Sequence, residues 1–310
     1  RGVAPEANIL DFRALSGDGS GDAFTVSTAI VMAVDNGARI INLSLGTQSD
    51  NPVLREAVNY AQNEGVLLVA AVGNEGNGSV SYPAAYPGVI GVGAVDANEN
   101  YQGFSNRGPE VDIVAPGVEV KAAGLNNSMV YFTGTSASAP LVSATLAYQI
   151  SQNPSLSNDE LVDILKGNSN DAGPPGGDNY YGEGILNVGR IEASSNQDVV
   201  DLAASGFYLE PVQDSDSFKL TFSGENRGNQ LAKTVQISLS YPDFEKIYTF
   251  HDVESSQTFY DYIEVPADSR LLNGDYELTL KVLSSEKDQN PYNNLKSARI
   301  RINSQASKKP

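Results

Sequence analysis

Two hydrophobic periods divide this chain and predict its fold class, α/β with a separate all-β part. Before Ser194-Ser195-Asn196, helix-period segments alternate with short apolar runs, the pattern of a parallel sheet with helices on both faces. After it, apolar and polar residues alternate one by one, the period of half-buried strands. The expectation is an α/β domain at residues 1–194, a β-sandwich at 197–304 and a frayed polar tail at 305–310.

In the first domain Phe24, Val26, Ala29, Ile30, Ala33 and Val34 recur at helical spacing. They predict a helix over residues 22–36 that Asn36-Gly37 ends as a left-handed C-cap. A strand is expected at 39–44, a helix at 53–63 and a strand at 66–72. There Val66-Leu67-Leu68-Val69-Ala70-Ala71-Val72 has the unbroken apolar character of a strand buried on both faces. Strands at 89–94 and 111–114 follow. A long helix opens near Ser136 and runs to Gln152, stopped by Asn153-Pro154. The next opens at Ser157, where Ser157 and Glu160 form a capping box ahead of Leu161, Ile164 and Leu165.

In the second domain four runs alternate cleanly: Phe218, Leu220, Phe222; Val235, Ile237, Leu239, Tyr241; Tyr276, Leu278, Leu280, Val282; and Ala298, Ile300, Ile302. With weaker runs at 246–250 and 259–265, about six or seven strands are expected, enough for an immunoglobulin-like sandwich. Asn226-Arg227-Gly228-Asn229 and Asn290-Pro291-Tyr292-Asn293-Asn294 resemble turns of bacterial cell-adhesion-type (CARDB-like) β-sandwiches. Tyr260 and Tyr262 are candidates for a binding face, although strand tyrosines are also commonly half-packed.

Composition bounds the function. The 310 residues allow about two domains, and 40% hydrophobic content is ample for packed cores. A net charge of −18 argues against nucleic acid as a partner, because no basic patch exists to displace counterions. No apolar run reaches the roughly eighteen residues a membrane span needs, and Arg1 does not open a signal peptide. The absence of cysteine excludes disulfides and zinc–thiolate sites and leaves the compartment open.

The chemistry concentrates in two segments. Gly134-Thr135-Ser136-Ala137-Ser138-Ala139-Pro140 presents a serine at a helix start, where unpaired N–H groups favour negative charge on an attacked carbonyl. Gly-Thr-Ser is equally an ordinary helix N-cap. In Gly73-Asn74-Glu75-Gly76, Asn74 follows the apolar strand at the sheet end where open α/β sheets place their ligands. It could also simply take a left-handed turn position between glycines.

Together and in this order, the two segments resemble those of the subtilisin-like serine proteases, the subtilases of peptidase family S8. Gly2-Val3-Ala4-Pro5, Ile41-Asn42-Leu43-Ser44-Leu45-Gly46, Tyr82-Pro83-Ala84, Phe104-Ser105-Asn106-Arg107-Gly108-Pro109, Val114-Ala115-Pro116-Gly117 and Tyr181-Gly182-Glu183-Gly184-Ile185-Leu186-Asn187 continue the likeness to about residue 194. The resemblance implies that Ser136 is the nucleophile and that Asn74 is the side-chain half of an oxyanion hole completed by the Ser136 N–H. It also implies a substrate cleft walled by Ser44, Leu45, Gly46, Ala71, Val72 and Gly73, with Ser81 near its base. No cofactor is expected for the chemistry. Structural calcium, frequent in the family, is implied by the resemblance only, with no site assigned in this sequence.

A serine hydroxyl needs a base, and the base an orienting group. The family carries these in an Asp-Thr/Ser-Gly and a His-Gly-Thr-His motif upstream of the segment matching Gly2-Val3-Ala4-Pro5. This sequence has one histidine, His251, in Thr249-Phe250-His251-Asp252, which lacks that context. Asp35 falls in the last turn of a helix and Asp18 in a glycine-rich turn, so neither reads as the missing aspartate. The resemblance implies a secreted bacterial endopeptidase acting on proteins or peptides, extracellular or at the cell surface. Its Asp and His would come from an N-terminal segment or separate chain, and residues 1–310 alone would be inactive. The competing expectation is a non-catalytic subtilase-derived binding protein that uses the sandwich as its interaction module.

Overall fold

The computed structural model describes residues 2–193 and 199–302; the spacer Ser194-Ser195-Asn196 and the expected tail at 305–310 lie outside the described residues. Contacts divide the chain into two compact units, one of Arg1–Ser169 and Gly177–Val188, the other of Asn170–Gly176 and Gly189–Pro310.

The first unit runs α1 (Ala23–Asp35), β1 (Ile40–Leu43), α2 (Pro52–Asn63), β2 (Leu67–Ala71), β3 (Val89–Val95), β4 (Ile113–Pro116), β5 (Val120–Ala123), β6 (Met129–Phe132), α3 (Thr135–Gln152) and α4 (Asn158–Gly167). Strands β1 to β4 pair in chain order, all parallel, with Ile40 opposite Leu67, Leu68 opposite Val89 and Val92 opposite Ile113. Every residue of β2 and β3 is buried. Because successive side chains point to opposite faces, both faces of the sheet are covered. Helix α3 lies along all four strands and buries Ala139, Val142 and Leu146.

The helix ends follow local chemistry. Asp22 caps α1 by accepting from the Thr25 N–H at 2.9 Å. Asn51 caps α2 through Val53 and Leu54, with Pro52 in the first turn. Ser157 and Glu160 form the reciprocal capping box of α4. Two details depart from the sequence reading. Phe24, expected on the apolar stripe of α1, is exposed, and the buried stripe is Val26, Ser27, Ile30 and Ala33. At about 100° per residue Phe24 lies on the side of the helix opposite Val26 and Ala33, off the packed face. The antiparallel hairpin β5–β6 was not expected, because its residues alternate weakly and stay largely exposed.

In the second unit β7 (Leu202–Pro211), β8 (Ser217–Asn226), β9 (Ala232–Tyr241), β10 (Phe244–Val253), β11 (Thr258–Pro266), β12 (Leu278–Ser284) and β13 (Leu295–Ala298) form two antiparallel sheets, ordered β11-β8-β7 and β10-β9-β12-β13. One core joins them, with Leu220 and Phe222 from the first sheet and Ile237, Leu239, Leu280 and Val282 from the second. Strand β7 is the element the sequence pattern missed, since Ala203, Ala204 and Gly206 blur its alternation and a register shift falls between Ala204 and Gly206. Tyr276 and Ile300, read as strand residues, lie outside β12 and β13.

Helix α5 (Val188–Ala193) precedes these strands, and its Arg190 explains why the second unit begins at Gly189. Arg190 Nη1 meets Glu225 Oε1 of β8 at 2.6 Å, both side chains being almost fully buried. Arg227 and the Asp171 N–H bind the other Glu225 oxygen. Charges removed from water require such mutual pairing, so α5 is tied to β8.

Candidate active site

Ser136 is the second residue of α3, and Gly134, not a serine or threonine, is the N-cap. The capping reading of Gly-Thr-Ser is thereby set aside: no side chain caps this helix, and the Ser136 hydroxyl is exposed at its N-terminus. As a first-turn residue, Ser136 has no carbonyl within the helix for its N–H, which stays available to an outside acceptor. Gly134 adopts φ 143° and ψ 164°, a region essentially closed to residues with a Cβ.

Asn74 follows β2, and Gly73 before it takes φ 106°. Asn74 is not among the positive-φ residues, so the left-handed-turn reading does not hold. Its Oδ1 accepts from the Thr135 N–H at 2.8 Å and from Thr135 Oγ1 at 3.0 Å. A backbone N–H can only donate, which fixes the oxygen of the amide toward Thr135 and leaves Nδ2 as a donor facing elsewhere. A Cβ at Gly134 would stand 3.3 Å from that Nδ2. Thr135 is thus the residue that orients Asn74, a role that sequence reading missed although the threonine lies inside the motif.

The Ser136 carbonyl is also held. Pro140 lacks the N–H that would bond to it in a regular helix, and Ser44 Oγ donates to it instead at 3.0 Å. Asn42 Nδ2 donates to Ser44 Oγ at 2.9 Å, and Ser143 Oγ donates to Asn42 Oδ1 at 3.0 Å. A chain of hydrogen bonds therefore runs from α3 to β1 and back to Ser136. A polar Asn42 inside the apolar strand Ile41-Asn42-Leu43 was the available signal for it. The Ser136 hydroxyl lies 3.3 Å from the Ser44 carbonyl oxygen, its acceptor.

The expected cleft residues converge beside this centre. Thr47 and Tyr82 exchange both backbone hydrogen bonds at 2.8 Å, the Ser81 N–H bonds to the Val72 carbonyl at 2.9 Å, and a Cβ on Gly46 would stand 3.1 Å from Ser81 Cβ. Ser81 therefore lies against Gly46 and against Val72 and Gly73, with Ala71, Val72 and Ser81 buried; Ser44 instead bonds to the Ser136 carbonyl. Glu75, next to Asn74, is bonded to the same group of side chains. The residue stays exposed, and its Oε2 accepts from Asn106 Nδ2 at 2.7 Å, Gln48 Nε2 at 3.0 Å and the Asn74 N–H at 3.1 Å. Gln48 and Asn106 also bond to Ser81 Oγ. A Cβ on Gly73 would collide with Asn106, Ser81 and Glu75, so the close approach of these groups requires glycine there.

His251 lies on β10 opposite Thr234, in the second unit. Asp35 is exposed and accepts from Tyr60 Oη at 2.8 Å, and Asp18 is held in its turn by Ser16 and Ser20. Among the described residues no cluster of three or more Asp, Glu, His or Cys side chains could hold a metal ion, so no residues are assigned to calcium. Among the described residues no helix is long and apolar enough to cross a membrane.

Comparison with known proteins finds the chain similar to serine proteases. Subtilisin Savinase of Lederbergia lenta is 41% identical over 187 residues, covering 60% of this chain and 68% of the relative. A thermostable alkaline protease of Halalkalibacterium halodurans is 40% identical over 189 residues, so the chain spans about half (52%) of that protein's length. Among solved structures, a lanthipeptide protease aligns with TM-score 0.56 at 25% identity, over 63% of this chain and 72% of the other. A model of the subtilase family, peptidase S8, matches residues 1–184, and the chain belongs to that family.

Proposed function

We propose that this chain carries the acylating half of a serine endopeptidase site, with Ser136 as nucleophile and the Ser136 N–H and Asn74 Nδ2 as oxyanion donors. The observation that carries the reading is the Thr135–Asn74 pair, which aims an amide donor from the end of β2 beside the start of α3. Donors fixed before reaction cost no reorganisation as the carbonyl oxygen becomes negative. The aligned N–H groups of α3 add to the same field. The base that takes the Ser136 proton, and the carboxylate that orients it, are supplied by a segment outside residues 1–310. Extracellular action on proteins follows from the same family membership.

The first test uses residues 1–310 as purified. They should release no Ser136-dependent fragments from an unfolded protein such as casein, because loss of a triad leaves only about 10³–10⁴ over water. Adding a segment with the family's Asp and His should restore hydrolysis, and Ser136→Ala should abolish it. Asn74→Ala should lower kcat by about 10²–10³, the scale measured for this family's oxyanion asparagine, with KM little changed. A rise in KM at unchanged kcat would remove Asn74 from this role. Restored folding without any hydrolysis would favour the non-catalytic binding reading.

For the substrate we propose broad cleavage after large apolar or aromatic residues, with the substrate backbone adding as a strand beside residues 43–46. The walls Leu45, Ala71 and Val72 are neutral, and the Glu75 carboxylate is already engaged by three N–H donors. Those donors are uncharged, so a substrate lysine gains a secondary preference from Glu75. In a peptide-library profile of the completed enzyme, Glu75→Gln should remove that minor lysine signal and leave the aromatic signal intact. A wild-type profile led by lysine or arginine would overturn the assignment.

A further inference from the structure

The outer face of the β11-β8-β7 sheet is shaped as a trough, and we propose that it binds a neutral polysaccharide chain. Register defines the face. Leu220 and Phe222 point into the core, so Lys219, Thr221 and Ser223 of β8 point outward. Their cross-strand neighbours form three rows: Glu264, Lys219 and Glu210; Tyr262, Thr221 and Tyr208; Tyr260, Ser223 and Gly206.

The central strand offers small hydroxyl side chains, Thr221 and Ser223, each only 3% exposed, while Tyr260 and Tyr262 on the flank are 53% and 49% exposed. In the middle row the small Thr221 lies between Tyr262 and Tyr208, so the surface dips there over a nearly covered floor, and the rings of Tyr260 and Tyr262 are the exposed contact surface. At the far side of the third row, a Cβ on Gly206 would meet only Lys296 Nζ, at 3.9 Å, so the trough stays open there. At the first row it deepens into a recess of about 280 Å³ lined by Glu210, Pro211, Val212, Lys219, Tyr262 and Glu264.

The chemistry selects the occupant. Tyr260 and Tyr262 are two residues apart on one strand, so they stand roughly 7 Å apart, the order of one sugar unit. Aromatic faces with polar tips suit the C–H face and hydroxyl edge of a sugar ring. The Lys219 ammonium lies 5.0 Å from the Tyr262 ring centroid and 3.0 Å from Glu210, which orients the ring at the mouth of the recess. Glu210 and Glu264 are acceptors, matched by the paired hydroxyl donors of a sugar. A proline-rich peptide could also stack on tyrosine, but it presents mainly carbonyl acceptors, which carboxylates cannot serve. A polyanion is disfavoured by these carboxylates and by the net charge of −18.

The test is native affinity electrophoresis of the 310-residue chain through gels containing hydroxyethylcellulose, laminarin, xylan, galactomannan or starch, beside gels without polymer. At least one polymer should retard the chain. The Tyr260→Ala/Tyr262→Ala double variant should bind that polymer at least about tenfold more weakly, and Tyr262→Phe, which keeps the ring, should bind nearly as the parent does. Both tyrosines are exposed, so near-ultraviolet circular dichroism should show the variants folded. Retardation by none of the five polymers would overturn the proposal. So would undiminished binding by the folded double variant, or displacement of the polymer by a proline-rich peptide at the same tyrosines.

Discussion

Gly134 is where the smallest side chain has the largest consequence. Its φ of 143° and ψ of 164° set the chain so that Thr135 N–H meets Asn74 Oδ1 and Ser136 enters α3 in the first turn. A methyl group there would find almost enough room, 3.3–3.4 Å from the Asn74 amide, so the obstacle is the backbone conformation rather than a collision. Gly134→Ala should therefore cost about 1–3 kcal/mol in urea unfolding of the chain, the range for a residue forced into a glycine-only region. An unchanged unfolding midpoint would show that the loop relaxes into another conformation without loss. Ser136 and Asn74 stood out as candidates in the sequence because each sits in a short glycine-containing motif. Their supports were less so: Thr135, Ser44 and Asn42 act through contacts between β1, β2 and α3, which only the fold brings together.

At the scale of elements, ends written in local chemistry were readable and elements held by distant partners were not. The capping box of α4 is a case of the first kind. Glu160 Oε2 accepts from the Ser157 N–H at 2.8 Å and from the Ser157 hydroxyl, and these bonds hold its pKa below the ordinary 4.5. An acid with a depressed folded-state pKa contributes stability that is present above its unfolded value and lost as pH falls through the folded one. The stability gap between the parent and Glu160→Gln should therefore be constant near neutrality and close progressively below about pH 4.5. Ser157→Ala, which removes the cap hydroxyl, should cost about 1 kcal/mol at neutral pH. Denaturation curves at several pH values check both, and a gap that widens on acidification would contradict the sign. Strand β7 and helix α5 are cases of the second kind. Bulge-blurred alternation hid β7, and Arg190 reads as a solvated charge until β8 brings Glu225 to it.

Across the whole molecule, the parallel sheet of the first unit leaves β1 at one edge, with no strand beyond it among the described residues. Such an edge presents unpaired N–H and C=O groups that another chain can take up. Large apolar side chains are exposed in the same unit, with Ile9 at 88%, Phe24 at 73%, Leu10 at 48% and Met32 at 47%. Scattered apolar residues are ordinary on protein surfaces, but a free strand edge together with these side chains supplies both the template and the driving force for association. Residues 1–310 should thus self-associate with rising concentration, visible in sedimentation velocity, and bind a hydrophobic dye. The double variant Phe24→Glu/Met32→Lys tests the apolar part without harming α1. Glutamate in the first turn and lysine near the last complement the helix dipole, so the helix should be at least as stable. The variant should shift the chain toward monomer and lower dye binding, with residual association assigned to the β1 edge. A parent chain that stays monomeric and dye-free throughout would mean that other residues already shield the edge.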